Sequence, residues 1–333
     1  MLAACAAAAP RGDYVWKDGK WVPAAKPAEG TGAGELVILR GYVEQKERKK
    51  AVSAAKRFRK KYPGDPGREE ATFLAGQAEL DAKRYYQAYE WFEKQIDEHP
   101  NGRLLERALT REMAAAEAFL RGEKRIVGKI FRLPARDEGL EILRRIAEHA
   151  PGSIIAEKAL LRIGEYHAGR GEHAEAAEAY DNYLQLFGKS RRAPEAMLKA
   201  ARAMLASYKG VPYDETPLIE AEQRFKVIRS QYPATAKKAR VETSLERITE
   251  IRAQRAWRTA RFYARTGRPK AARFYYQQVI DRFPGSRWAA EARRALGGAA
   301  AAPKPKPAPA TRPAGGSRPT TLPAGPSVKG GEK

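Results

Sequence analysis

Cys5 is the single cysteine among 333 residues, and its position suggests a specific chemistry. It follows Leu2, Ala3 and Ala4, and Leu-Ala-Ala-Cys matches a lipobox, in which small residues let a signal peptidase reach the bond before the cysteine. The thiol would then receive a diacylglycerol, and two or three acyl chains anchor a protein stably where one chain does not. The alternative is a chance cysteine in an alanine-rich start. We predict that Cys5 is a lipid-attachment site.

A second candidate site lies between Ile251 and Ile280, where the chain has eight bases and no acid. Arg258, Arg261 and Arg265 follow one another at steps of three and four, so they share one face of a helix. Like charges at this spacing destabilise a helix by about 0.2–0.5 kcal/mol per pair, which something should offset. The predicted partner-binding residues of this stretch are Arg258, Arg261, Arg265, Arg268 and Arg273.

Two interpretations of this basic stretch stay open. It is a solvated face neutralised by acids elsewhere, such as Glu246 and Glu250, or it docks an acidic protein or anionic lipid headgroups, since arginine binds carboxylate and phosphate alike. A second basic run, from Arg40 to Lys61, allows a solvated face or attraction to an anionic leaflet. The net charge of +23 also admits nucleic acid, but no recognised nucleic-acid module appears, so that partner is disfavoured.

Aromatic residues are concentrated between residues 85 and 92. Tyr85, Tyr89 and Phe92 recur at helical spacing, which is typical of a core face. Tyr86 lies off that face. It is a candidate contact for an extended peptide in the concave groove that stacked helical repeats form.

Signals for catalysis, metals and cofactors are poor. The four histidines have no metal-ligand spacing, and one cysteine excludes a cysteine-rich zinc site. The glycine-rich residues 30–34 follow no strand and precede no Gly-Lys-Ser/Thr, so they predict a linker and not a phosphate-binding loop. We predict no catalytic residue, metal site, cofactor or enzymatic activity.

Helices in a repeated pattern are predicted to position these residues. A short Pro- or Gly-containing break recurs, and a small residue lies twelve positions before the Pro or Gly each time. Two-helix units with small residues at close crossings are typical of tetratricopeptide repeats (TPRs). We predict an all-α solenoid of about five TPR-like helical hairpins. The breaks occupy residues 62–64, 99–102, 150–153, 187–190, 232–234 and 283–286.

Composition divides the chain into three zones. Residues 1–36 hold the lipobox, an Asp-Gly hairpin signal between Trp16 and Trp21, and a flexible linker. Residues 37–296 form the solenoid, and residues 297–333 form a Pro/Ala/Lys-rich tail that is predicted to be disordered. Within the solenoid, insertions fall at residues 123–136 and 208–217, and one long helix is expected from about residue 235 to 265.

Residues 37–296 resemble the BamD/ComL type of outer-membrane-assembly lipoprotein. Two segments carry the resemblance: ARFYARTGRPKAARFYYQQVIDRFPGSRWAAEA at residues 260–292 and YKGVPYDETPLIEAEQRFKVIRSQYP at residues 208–233. The resemblance implies a periplasmic, lipid-anchored scaffold that binds proteins, namely a β-barrel assembly subunit and its unfolded outer-membrane clients.

We therefore predict a scaffold anchored at the periplasmic face of the outer membrane, which acts in the assembly of outer-membrane β-barrel proteins. One alternative is another envelope TPR adaptor, linked to cell-wall synthesis or division. The other is a cytoplasmic TPR module that binds acidic proteins or nucleic acid.

Overall fold

The computed structural model describes residues 14–17, 20–23, 28, 30–127, 131–210 and 213–299. The predicted lipid site at Cys5 and residues 300–333 of the predicted tail lie outside these described residues. The helices are Gly32–Glu44 (α1), Arg48–Lys61 (α2), Gly67–Asp81 (α3), Tyr85–Glu98 (α4), Leu105–Leu120 (α5), Arg136–His149 (α6), Ile154–Gly169 (α7), His173–Phe187 (α8), Ala193–Ser207 (α9), Thr216–Gln231 (α10), Pro233–Ala239 (α11), Val241–Arg265 (α12), Pro269–Arg282 (α13) and Arg287–Ala299 (α14). The strands are Tyr14–Lys17 (β1), Lys20–Pro23 (β2), Lys124–Val127 (β3) and Phe131–Pro134 (β4).

Helical hairpins account for most of the described chain, which confirms the predicted all-α, TPR-like fold. The second helix of each hairpin ends at one of the predicted breaks. Five of the six breaks contain a proline, which cannot continue a helix and keeps the preceding residue out of helical backbone angles. The described residues contain six such pairs, followed by α14. The pair additional to the five expected is α1 with α2.

In the hairpins α3–α4 and α7–α8, a glycine on the first helix faces an aromatic ring on the second, sixteen positions later. Gly76 faces Phe92 and Gly164 faces Tyr180, and a Cβ atom built on either glycine would lie 2.5 Å from the ring. The aromatic side chains are almost completely buried, at 0% and 2% exposure. The two helices can approach this closely only because the glycines carry no side chain.

Contacts divide the described residues into two compact units, one that ends at Arg255 and one that begins at Ala256. The first unit contains three clusters of buried apolar side chains, along α1–α3, α3–α9 and α9–α12. The second unit has its own small core, made of Ala260, Ala272, Tyr276, Val279 and Ala292.

Four features refine the expectations from sequence. Strands β1 and β2 pair antiparallel, with Trp16 opposite Trp21. Residues 123–136, predicted only as an insertion, contain a second antiparallel hairpin, β3 with β4. The glycine-rich stretch is not a linker from Gly32 onward, because Thr31 caps α1 by accepting a hydrogen bond from the Gly34 backbone nitrogen at 3.1 Å.

The long helix expected from about residue 235 is shorter than predicted. Arg240 has a φ of 53°, a left-handed conformation that ends α11 and that a continuous helix cannot contain. The long helix, α12, therefore begins at Val241 and extends for 25 residues, or about 38 Å.

The Gly164–Tyr180 crossing leads to a stability prediction. Replacing Gly164 by Ala should lower the free energy of unfolding by about 1–3 kcal/mol, because the new methyl group overpacks the Tyr180 ring. Gly169, on the same helix, has no atom within 4 Å of a Cβ position, so Gly169→Ala should be neutral or stabilising by up to about 1 kcal/mol. Chemical denaturation measures both variants. Equal stability of the two would contradict the crossing constraint.

Glu112 on α5 is a buried acid inside the first unit. Its side chain is fully buried, and neither carboxylate oxygen has a hydrogen-bond partner within the described residues. Burial raises the pKa of Glu112 well above 4.5, and the nearby charge of Glu93 raises it further against the opposing effect of Arg145.

The raised pKa of Glu112 makes stability depend on pH. The folded state retains a proton that the unfolded chain releases above pH 4.5, so this contribution is complete below pH 4.5 and is lost as pH rises through the folded-state pKa. Glu112→Gln needs no proton. It should therefore melt at a higher temperature than the wild type near neutral pH, and the difference should shrink as the pH falls toward 5.

Glu106→Gln is the matched control, because Glu106 lies on the exposed side of the same helix and loses the same charge. Its melting temperature should follow that of the wild type at every pH. A Glu112→Gln difference that stays constant with pH would show that Glu112 is not protonated on folding.

Candidate protein-binding surface of the second unit

The structure places all five arginines of the predicted binding surface in solvent. Arg258, Arg261 and Arg265 lie on α12, where the helical period spreads them over about 60° of one face. Arg268 immediately precedes α13, and Arg273 lies in its second turn. We call these five residues the arginine row.

The second unit contains almost no acid to neutralise this row. Its described residues, 256–299, include ten bases and two acids. Glu291 pairs with Arg294 at 2.8 Å, and Asp281 accepts a hydrogen bond from Gln277 at 2.8 Å. Within this part of the described chain, none of the five arginines forms an ion pair. An acidic partner could therefore bind here without first displacing an internal carboxylate.

The other basic run, from Arg40 to Lys61, is held internally in large part. Arg40 pairs with Glu70 at 2.6 Å, and Arg48 pairs with Glu79 at 2.9 Å. Arg59 pairs with Glu98 at 2.6 Å. Burial acts to raise the pKa of Glu98, but hydrogen bonds from Arg59 and Arg68 outweigh it and lower the pKa to about 2. These arginines therefore link helices, and this run is the weaker binding candidate.

Arg252 and Arg255, at the start of the acid-free stretch, also have structural partners. Arg252 bonds to Glu222 on α10, and Arg255 donates to the backbone carbonyl of Tyr213 in the second insertion. Glu215 lies 3.8 Å from Arg252. The eight bases seen in the sequence thus separate into residues that stabilise the first unit and residues that remain exposed in the second.

Four aromatic rings outside the predicted site residues extend across α12 and α13. Tyr263 and Tyr275 stack with ring centroids 5.0 Å apart and planes at 1°. Phe262 and Phe274 pack edge-on against these tyrosines at 5.5 Å and 5.4 Å, and their side chains are 52% and 58% exposed. The sequence signal for these rings is the runs Phe-Tyr and Phe-Tyr-Tyr, each of which directly follows an arginine.

A tryptophan pair lies beside the arginine row. The guanidinium of Arg261 lies 4.8 Å from the Trp257 ring centroid, and Trp257 contacts Trp288 of α14 at 4.6 Å. A cation over an aromatic face gains about 0.5–1 kcal/mol at an exposed site. This contact holds Arg261 without neutralising its charge.

A cleft of about 370 Å³ opens between α12, α13 and α14. Apolar side chains that include Tyr276 and Leu296 line it, and Lys270 and Arg273 supply its charged atoms. Such a cleft can hold an apolar side chain of a partner while the bases bind a neighbouring carboxylate. Aromatic anchors and arginine are the residue types enriched at protein–protein interfaces.

Tyr86, the remaining predicted contact, belongs to the first unit. It is half-buried, and the guanidinium of Arg125 on β3 lies 3.5 Å from its ring centroid. Tyr86 is thus partly covered by a residue of the first insertion. As a peptide contact it stays a prediction.

The described residues offer no metal site or membrane-spanning helix. No group of three or more His, Cys, Asp and Glu side chains among them could hold a metal ion. None of the helices that can be described has the length and apolar character needed to cross a bilayer.

Residues 137–302, just under half of the chain, match the family model YfiO, an outer membrane lipoprotein. This match includes the whole arginine row, the four aromatic rings and the cleft. No curated protein sequence matches the chain at a significant level.

Several solved structures are similar to this chain. They include a TPR protein from Parabacteroides merdae ATCC 43184, at 12% identity and a TM-score of 0.33, covering 75% of this chain and 92% of that one. PilW, described as a type IV pilus biogenesis factor, is 18% identical at a TM-score of 0.27, with 81% and 100% covered. PilF of Pseudomonas aeruginosa is 14% identical at a TM-score of 0.29, with 79% and 97% covered.

Because these TM-scores are below 0.5, the fold assignment rests on the helix bounds and crossings described above. The described chain has a TPR-type fold of stacked helical hairpins. Its residues 137–302 are similar to an outer membrane lipoprotein family.

Proposed function

We propose that this protein is a lipid-anchored scaffold at the periplasmic face of the outer membrane, which binds protein partners during the assembly of outer-membrane β-barrel proteins. The partner is a β-barrel assembly subunit or an unfolded client. It binds through the second unit, by way of the arginine row and the exposed rings of Phe262 and Phe274.

The observation that carries this proposal is the unneutralised arginine row beside exposed aromatic rings, in the segment that matches the outer membrane lipoprotein family. Exposed arginines at helical spacing repel one another. An acidic partner would offset this repulsion, which makes its binding more favourable. Exposed phenylalanines gain when a partner removes them from water. The electrostatic attraction and the burial of the phenylalanines both favour binding of a protein that has an acidic and apolar surface.

A pull-down from solubilised outer membranes tests the surface. Replacing Arg258, Arg261 and Arg265 together by Glu reverses the charge of the row and should reduce recovery of β-barrel assembly subunits or clients by about tenfold or more, as mass spectrometry quantifies. The double variant Phe262→Ala/Phe274→Ala should also reduce recovery, without a change in charge. Circular dichroism checks that both variants remain folded.

The matched control replaces Lys237, Lys238 and Arg247 by Glu, which gives the same charge change at exposed positions of the first unit. It should recover the partner as the wild type does. Equal recovery by the arginine-row variant would contradict docking at this surface. Recovery of cell-wall or division proteins instead would favour the alternative envelope adaptor.

Lipid attachment at Cys5 is tested separately. In cells grown with a clickable palmitate analogue, the wild-type chain should be labelled and should sediment with membranes, because two or three acyl chains anchor a protein stably. Cys5→Ala should lose the label and most of the membrane association. A Cys5→Ala chain that is still labelled would show that Cys5 is not the lipid-attachment residue.

A further inference from the structure

The β3–β4 hairpin is a feature that the helical repeat does not require. The connections between the two helices of α1–α2, α3–α4, α7–α8 and α12–α13 are each three residues long, whereas α5 and α6 are joined by fifteen. The hairpin precedes Asp137, where the family match begins. The proposed function leaves it without a role.

Strand β4 contributes little to the core of the first unit. All four of its residues are exposed, and Phe131 and Leu133 expose 69% and 50% of their area. Alternate residues of a strand share a face, so these two apolar side chains lie side by side. A two-stranded hairpin is marginal by itself, and exposing a phenylalanine and a leucine to water gives no stability in return.

Specific contacts nevertheless hold the hairpin against the helices. The guanidinium of Arg125 lies 3.5 Å from the ring centroid of Tyr86 on α4, and its Nη1 atom pairs with Glu138 of α6 at 3.4 Å. Ala135, which follows β4, is buried at 1% exposure. These contacts fix the base of the hairpin, where β3 begins and β4 ends, while the apolar residues of β4 stay in solvent.

The charge of this segment is of one sign. From Lys124 to Arg136 the sequence contains five bases and no acid, and Lys124 and Arg132 are exposed. By the strand register, Lys124 and Arg132 lie on the opposite face of the hairpin from Phe131 and Leu133. A two-stranded ribbon is thin enough for both bases to remain within about one Debye length of a bilayer that the apolar face touches. Each base close to an anionic leaflet adds to the attraction, and apolar side chains insert between the headgroups.

We propose that the β3–β4 hairpin binds the surface of an anionic lipid bilayer, with Phe131 and Leu133 inserted among the headgroups. Lys124 and Arg132, on the other face of the thin ribbon, add long-range attraction to the anionic leaflet. This second membrane contact goes beyond the proposed function. It depends on neither Cys5 nor the arginine row, and it would fix which side of the first unit faces the lipid.

Flotation with vesicles tests the inference on the full chain carrying Cys5→Ala, so that no acyl anchor contributes. It should bind vesicles that contain phosphatidylglycerol and bind pure phosphatidylcholine vesicles weakly, and salt should reduce the binding. Phe131→Asp/Leu133→Asp should weaken binding by about tenfold or more. Lys124→Glu/Arg132→Glu should also weaken it, and the loss should be greatest at low salt.

Ile154→Asp/Leu186→Asp is the matched control, because these apolar side chains are 69% and 68% exposed elsewhere in the first unit. It should float as the parent does. Undiminished flotation of Phe131→Asp/Leu133→Asp would overturn the inference, and so would flotation that is lost only when the arginine row is reversed. Melting temperatures confirm that the variants fold, since the altered side chains are exposed.

Discussion

The close crossing of two helices within each hairpin is the constraint on which the rest of the structure depends. A glycine or alanine at the crossing leaves room for a large ring from the second helix, as Gly164 does for Tyr180. Ala260 and Tyr276 have the same sixteen-residue spacing in the second unit, where both are buried. The first hairpin reverses the sizes: Leu39 is the large residue and Ala55 is the small one, and both are buried. The combined volume at the crossing, and not the identity of either residue, is therefore what the fold maintains.

Because the crossings fix the helices, the loops between them can change length without changing the core. Fifteen residues separate α5 from α6 and include the strands β3 and β4, and eight residues separate α9 from α10. Each insertion is tied down by an arginine: Arg125 stacks on Tyr86, and Arg255 bonds to the carbonyl of Tyr213. Surface insertions cost little free energy in such a frame, and they are where a repeat protein gains new contacts.

The two units use their charges differently. In the first unit, acids such as Glu70, Glu79 and Glu98 pair with arginines from other helices, so much of the positive charge takes part in tertiary structure. The second unit has ten bases and two acids in its described residues, and its arginine row has no such partner there. The same residue type therefore serves as a link between helices in one unit and as a free surface in the other.

The sequence by itself determined the repeat. Proline and glycine at the breaks and small residues twelve positions earlier act locally, so the helix ends and the all-α, TPR-like fold follow from spacing. Arg240 shows the limit of local patterns, because nothing in its own sequence marks the left-handed turn that shortens the long helix.

Only the tertiary structure decided which charges are free. The eight bases are indistinguishable by their spacing in the sequence. In the structure, however, Arg252 bonds to Glu222, 30 residues away, and Arg255 bonds to the Tyr213 carbonyl, 42 residues away. The exposure of Phe262 and Phe274, and the stacking of Tyr263 on Tyr275, depend on how α12 and α13 pack. Ion pairs and ring contacts between distant residues depend on coordinates in space, and a periodic pattern along the chain specifies only which residues share a face.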